Sequence, residues 1–135
     1  MKRALLIVAL LASIAGCASD RPRVAFGTRC NACSMTISDA RFACVRRDDG
    51  RWKSFDSIEC LLRDGHAASA TVRLADYDTR RLVPADSLWL VQGDFPTPMG
   101  GGLAAFAGRA AAEQVASETH GTVRRFAELS ADDLR

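Results

Sequence analysis

Thr71-Val72-Arg73 and Thr122-Val123-Arg124 are the same tripeptide read twice, 51 residues apart, and the same offset lays Phe55 on Phe106 with no gap between the matches. Working outward, each tripeptide closes a pattern of strand, strand, helix, strand. In the first copy Phe42 to Arg46 is apolar-rich, and Asp48-Asp49-Gly50 carries the Asp-Gly pair that turns a tight hairpin. Trp52 to Phe55 returns as a second strand. Asp56 is placed to cap a helix, with Glu59 three residues on as in a capping box. Ile58, Leu61 and Leu62 share one helical face, Gly65 suits its end, and Ala70 to Leu74 is the closing strand. In the second copy Leu88 to Val91 is the first strand, and a long loop, Gln92 to Gly102, replaces the tight turn. Leu103 to Phe106 follows, then a helix from Arg109 to His120 ended by Gly121, then a strand from Thr122 to Phe126. Either half alone is too small to bury a full core. The expected fold is therefore α+β, two repeated ββαβ units packed into one compact body, with Phe55 and Phe106 in equivalent buried positions. The competing reading is chance similarity between two unrelated α/β segments. Trp52, Trp89 and Phe106 fall on expected strands and read as core.

The N-terminus is of another kind. Lys2 and Arg3 precede an apolar run, Ala4 to Ile14, broken only by Ser13 and too short to span a bilayer. It ends in Ile14-Ala15-Gly16-Cys17, small residues before a cysteine, which resembles the lipobox of bacterial lipoproteins. On that reading residues 1–16 are a signal peptide and residues 17–29 are a lipidated Cys17 with its polar tether. Residues 30–80 and 81–135 are then the two units. An uncleaved anchor and ordinary cleavage nearby are the alternatives. The chain is expected on the periplasmic face of the membrane, held by lipid. Ala18-Ser19 after the cysteine lacks an acidic retention signal, which favours the outer membrane.

The 135 residues are 48% hydrophobic and 25% charged, ordinary for a globular chain. With Lys2 and Arg3 gone, basic and acidic residues balance at 16 each. This neutrality argues against the basic patch that nucleic-acid binding needs, so no nucleic-acid partner is expected. No paired carboxylates, nucleophile–histidine arrangement or phosphate-binding glycine loop stands out, which argues against hydrolytic and nucleotide chemistry.

Sulfur is the informative element. Cys30-Asn31-Ala32-Cys33-Ser34-Met35 holds a Cys-x-x-Cys pair beside a methionine, and Thr97-Pro98-Met99-Gly100-Gly101-Gly102 holds the other methionine of the processed chain. Core methionines fill gaps in apolar periodic segments, and neither of these lies in one. Thiolate and thioether are soft donors that select Cu(I). Cys30, Cys33, Met35 and Met99 are thus the candidate metal ligands, Met99 arriving from the second copy if the two loops converge. A disulfide is the default for paired cysteines in an oxidising compartment, at least as a transient form. An envelope thiol–disulfide oxidoreductase using Cys30 and Cys33 is the alternative function, and it needs the first cysteine at a helix N-terminus. A structural zinc site lacks a second closely spaced pair. Cys44 and Cys60 read as buried residues or one structural disulfide. His66 and His120, near helix ends, read as solvated or capping.

These residues resemble the NosL family of periplasmic copper-chaperone lipoproteins linked to nitrous-oxide reductase. The matching stretches are Cys30-x-x-Cys33-x-Met35-x-Ile37, Phe55-Asp56-Ser57-Ile58-Glu59-Cys60, Thr97-Pro98-Met99-Gly100 with Ala105-Phe106, and Gly121-Thr122-Val123 to Leu129. The resemblance implies two ββαβ units. It also implies binding of Cu(I) and delivery to the copper centre of nitrous-oxide reductase without catalysis, the sulfur positions being Cys30, Cys33, Met35 and Met99. Cys60 matches a recurrent cysteine. The family often has glycine before the first methionine, where this chain has Ser34.

Overall fold

The computed structural model describes residues 22–24, 27–65 and 71–134. Cys17, its signal peptide, His66 and Ala70 lie outside the described residues. The first unit consists of β1 (Cys44–Asp48), β2 (Arg51–Phe55), α1 (Ile58–Arg63) and β3 (Thr71–Ala75). After β4 (Leu82–Pro84), the second consists of β5 (Trp89–Gln92), β6 (Leu103–Phe106), α2 (Arg109–Glu118) and β7 (Thr122–Arg124). Both sheets are antiparallel and have the first strand of the unit in the middle. The order is β2-β1-β3-β4 in one and β6-β5-β7 in the other. Cys44 pairs with Phe55 and Trp89 with Phe106, so the two phenylalanines end equivalent strands at equivalent registers. Both are buried, at 0% and 1% exposure. The 51-residue offset thus reports a repeated topology.

Departures from expectation have local causes. The first strand begins two residues late, at Cys44, because Phe42 is turned into a smaller core cluster with Val91, Phe106 and Ala112. The helix cap is Ser57 and not Asp56: its hydroxyl accepts from the Cys60 amide at 3.2 Å. Either residue type can cap. Using the second leaves the Asp56 carboxylate free to face elsewhere. The helix α2 stops at Glu118, and His120 sits beyond it, exposed, at φ 52°. The strand β4 adds a fourth member to the first sheet and was not legible in its three residues. Trp52 and Trp89 are half-buried, not core. Trp89 lies under Arg125 and Arg109, at 4.0 and 5.1 Å from the ring centre.

The halves share one hydrophobic cluster. Phe55, Ile58, Leu61 and Leu74 of the first unit are buried with Leu88, Leu90 and Leu103 of the second. A backbone seam joins them as well. Asp76 and Ala105 form a parallel bridge, and the Tyr77 amide donates to the Ala105 carbonyl at 2.7 Å. The buried Asp76 carboxylate accepts from the Ala107 amide at 2.8 Å, and from the Thr79 hydroxyl and amide. Burial opposes its ionisation, yet these donors outweigh it and hold the carboxyl below its ordinary value. A lowered carboxyl stabilises the fold fully above the unfolded value of about 3.9, and loses that contribution as pH falls through the folded one. Asp76→Asn is expected to cost about 1–3 kcal/mol at neutral pH. The difference from wild type should close in acid, as read by denaturant unfolding across pH. A pH-independent difference would refute this account.

Candidate metal centre

The Cys-x-x-Cys segment is a turn, not a helix. Arg29 and Thr36 bridge across it, the Cys30 amide donates to the Met35 carbonyl at 2.8 Å, and the Ser34 amide donates to the Cys30 carbonyl at 3.0 Å. The turn is docked on the edge of β2. The Asn31 amide donates to the Ser54 carbonyl at 2.9 Å, and the Ser54 amide returns a bond to the Asn31 side-chain oxygen at 2.9 Å. Ile37, 1% exposed, pins the far side in the core. The cysteines therefore face the junction between β2 and α1, where Asp56, Ser57 and Cys60 lie. The turn closes with Ser34 at φ 63°, the left-handed region that favours glycine. Ser34→Gly should remove a strain of about 1–2 kcal/mol, offset in part by added unfolded-chain entropy. The expected net gain is up to about 1 kcal/mol, read from the denaturant midpoint, and a loss would refute it.

The result is a compact donor set. One ligand atom each from Cys30, Cys33, Asp56 and Cys60 all lie within 4.8 Å of one another. The Cys33 thiol donates to Asp56 Oδ2 at 3.6 Å, while Asp56 Oδ1 is buried with no hydrogen-bond partner among the described residues. The four described cysteines are free thiols. Burial pushes the Cys60 thiol far up, and the nearby Asp56 carboxylate and Cys33 thiol add to it. Burial also raises Cys33, although the Met35 amide works the other way. Cys44 is a buried thiol of another kind: it donates to the Ser57 carbonyl at 3.1 Å and stands apart from the set.

The methionines differ. Met35 is 52% exposed. Met99 is half-buried and packs against the cluster that contains Cys30 and Cys60. Its loop is tied to α1 through Glu59, whose Oε1 accepts from the Thr97 hydroxyl at 2.9 Å and the Leu103 amide at 3.4 Å. Thr97 Oγ1 in turn accepts from the Gly102 amide at 3.2 Å. Glu59 is therefore a buried loop anchor, not the capping-box partner its spacing suggests. Gly101 is needed for close approach, since a Cβ there would stand 2.6 Å from Glu59 Cγ. Gly102, at φ 67°, would drive a Cβ into the Gly93 carbonyl.

Of the expected ligands, the turn brings Cys30 and Cys33 together. The Glu59 anchor fastens the Met99 loop to the residue beside Cys60, and Met35 stays on the surface. Asp56 and Cys60 were not reached from spacing, because they lie 23 to 30 residues from the cysteine pair and one was assigned to capping. Their only signal was the match at Phe55 to Cys60.

A sequence profile of the NosL family matches residues 23–134. No curated protein sequence matches the chain significantly. Among solved structures, the copper chaperone NosL from Shewanella denitrificans is similar to it, with a TM-score of 0.71 and 18% sequence identity over 82% of this chain and 96% of that one. With a family profile that runs through both units and both sulfur loops, the chain belongs to the NosL family.

Proposed function

We propose that this chain is a copper chaperone. It holds Cu(I) on the thiols of Cys30, Cys33 and Cys60 with the Met99 thioether, and passes it to a cuproenzyme of the cell envelope. Nitrous-oxide reductase is the recipient that the NosL resemblance implies. The observation that carries this reading is the gathering of three thiols and Asp56 within 4.8 Å. Three soft donors in one place suit Cu(I), and Asp56 supplies a hard oxygen that this ion does not seek. Its place is beside the thiol proton that loading displaces. The raised thiols make loading proton-coupled, so apparent affinity rises with pH.

Transfer is ligand exchange with no change of oxidation state. A groove of about 410 Å³ reaches the donor set at Asp56, and Met35, Phe95 and Pro98 are among the other residues that line it. An incoming donor from a partner enters there, and the exposed Met35 thioether suits a passing contact with the ion better than a resting one. The oxidoreductase reading needs a helix N-terminus and a lowered thiol. The cysteine pair lies in a non-helical turn, and Cys33 is raised.

In this reading Cys17 is lipidated and holds the protein at the periplasmic face of the outer membrane. The support is Lys2-Arg3, the short apolar run and Ile14-Ala15-Gly16-Cys17. The thioether assignment is tested by anaerobic Cu(I) titration against a competing chelator. Met99→Leu keeps volume and removes the donor. It should weaken binding at least tenfold, about 1.4 kcal/mol, and Met35→Leu should weaken it less. Unchanged affinity in both would leave a thiol-only site.

A further inference from the structure

Net neutrality holds for the chain as a whole, and the fold breaks it locally. Arg23, Arg73, Arg80 and Arg81 line one open groove of about 770 Å³, so the expected absence of a basic patch is corrected. Its floor includes Ala43 and Ala75, both buried, whose methyl side chains leave the space open. Arg73 and Ala75 are two apart on β3 and point from the same face. The turn that carries Arg80 and Arg81 is built on Asp76: the Arg80 amide donates to the Asp76 carbonyl at 2.7 Å, and the Asp76 amide to the Arg81 carbonyl at 2.9 Å.

These arginines differ from others in the protein. Arg41, Arg46, Arg109 and Arg124 are each bonded to a carboxylate. Among the described residues, none of the four groove guanidiniums has a salt bridge or side-chain hydrogen bond. Asp39 feels the charge of Arg80, but its oxygens are already bonded by Arg41. A concentration of unpaired guanidiniums around a groove is suited to phosphate, which their planar forks bind in pairs of hydrogen bonds.

The position of the groove names the source of the phosphate. Pro22 and Arg23 line it, so the chain enters the fold at its rim. Cys17 is five residues before Pro22, and an extended chain covers at most about 18 Å in that distance. A protein acylated at Cys17 therefore holds this groove close to the lipid headgroups. We propose that the groove binds the phosphates of anionic lipids in the membrane that carries the anchor, and so sets the orientation of the protein on it. This rests on the lipoprotein reading of Cys17.

The test uses residues 17–135 with Cys17→Ser, so that neither the leader nor an acyl group contributes, and sedimentation with vesicles of phosphatidylglycerol in phosphatidylethanolamine. Binding is expected to these vesicles and not to phosphatidylethanolamine–phosphatidylcholine ones, and should weaken as salt rises. The double variant Arg73→Gln, Arg81→Gln should partition at least about tenfold less, with thermal midpoint and Cu(I) affinity unchanged. Equal binding to both vesicle types, or equal binding by parent and double variant, overturns the proposal. So does binding of inorganic phosphate, read by calorimetry, by a chain that binds neither vesicle type, which would make the groove a site for the free anion. Mass spectrometry of the wild-type chain tests the anchor separately. An acylated Cys17 with no vesicle binding by the Cys17→Ser chain defeats the groove alone, and an unacylated Cys17 with vesicle binding defeats the anchor alone.

Discussion

Cys60→Ser is expected to lower Cu(I) affinity at least about a hundredfold, close to 2.7 kcal/mol. The thiol is 1% exposed and belongs to the set within 4.8 Å, so the change replaces a soft donor by a hard one at a fixed place. The place survives substitution because the backbone there is held independently: the Cys60 amide is capped by Ser57, and the Asp64 amide bonds the Cys60 carbonyl at 3.0 Å. Cys33→Ser should lose as much, since it too replaces a soft donor of the set by a hard one. Cys44→Ser is the control. It is buried too, but its thiol is engaged with the Ser57 carbonyl, and its affinity should equal wild type. Anaerobic competition titration of the four proteins decides the matter. If Cys60→Ser binds like wild type, the α1 cysteine is not a ligand, and the site reverts to Cys30, Cys33 and the thioethers.

The second large effect concerns the two phenylalanines. Phe106→Ala should cost about 3–5 kcal/mol, transfer and cavity together. That is a large share of the roughly 5–15 kcal/mol of a whole domain. The ring is 1% exposed, tilted against Tyr77 with ring centres 5.2 Å apart, and lies in the cluster that includes residues of α2. Tyr77 in turn packs edge-on at 5.7 Å from Phe42, so the cavity opens beside the two remaining aromatic rings. Phe55→Ala should cost as much, because its ring is fully buried beneath the Arg46 guanidinium at 5.4 Å. The two differ in function. Phe55 immediately precedes Asp56 and belongs to the cluster that contains Cys30 and Cys60, so its loss should also weaken Cu(I) binding. Phe106 lies in the other cluster and should leave affinity unchanged in the folded fraction. Denaturant unfolding gives the first quantity and chelator competition the second. A stability loss below about 1 kcal/mol for Phe106→Ala would contradict the equivalence of the two strands.

The Arg46 guanidinium shows how the first unit is closed. It is 4% exposed, bonds Asp48 at 2.7 Å and Asp64 at 2.6 Å, and donates to the Gly65 carbonyl at the end of α1. The hairpin and the helix that carries Cys60 are thereby fastened to one another.

Much was determined by the sequence alone. The repeat, the succession of elements within each copy, the equivalence of Phe55 and Phe106, and the pairing of Cys30 with Cys33 follow from local periodicity, turn residues and short spacing, all of which act over a few residues. The tertiary structure decided what depends on distant segments meeting. Asp56 or Ser57 would serve as a cap by local rules, and only the docking of the Asn31 turn on Ser54 gives Asp56 a thiol to face. Cys60 is one more apolar-face residue of α1 until Cys30 and Cys33 are folded against it. Glu59 has the spacing of a capping-box partner, but the second unit supplies Thr97 and Leu103, and burial beside those donors outcompetes a local bond to its own helix. Met35 and Met99 look alike in sequence and separate into exposed and packed only through that anchor. A balanced total charge likewise says nothing of where charges lie: the turn at Asp76, the face of β3 and the entering N-terminal segment bring four arginines to one groove because chain topology, not composition, sets their neighbours.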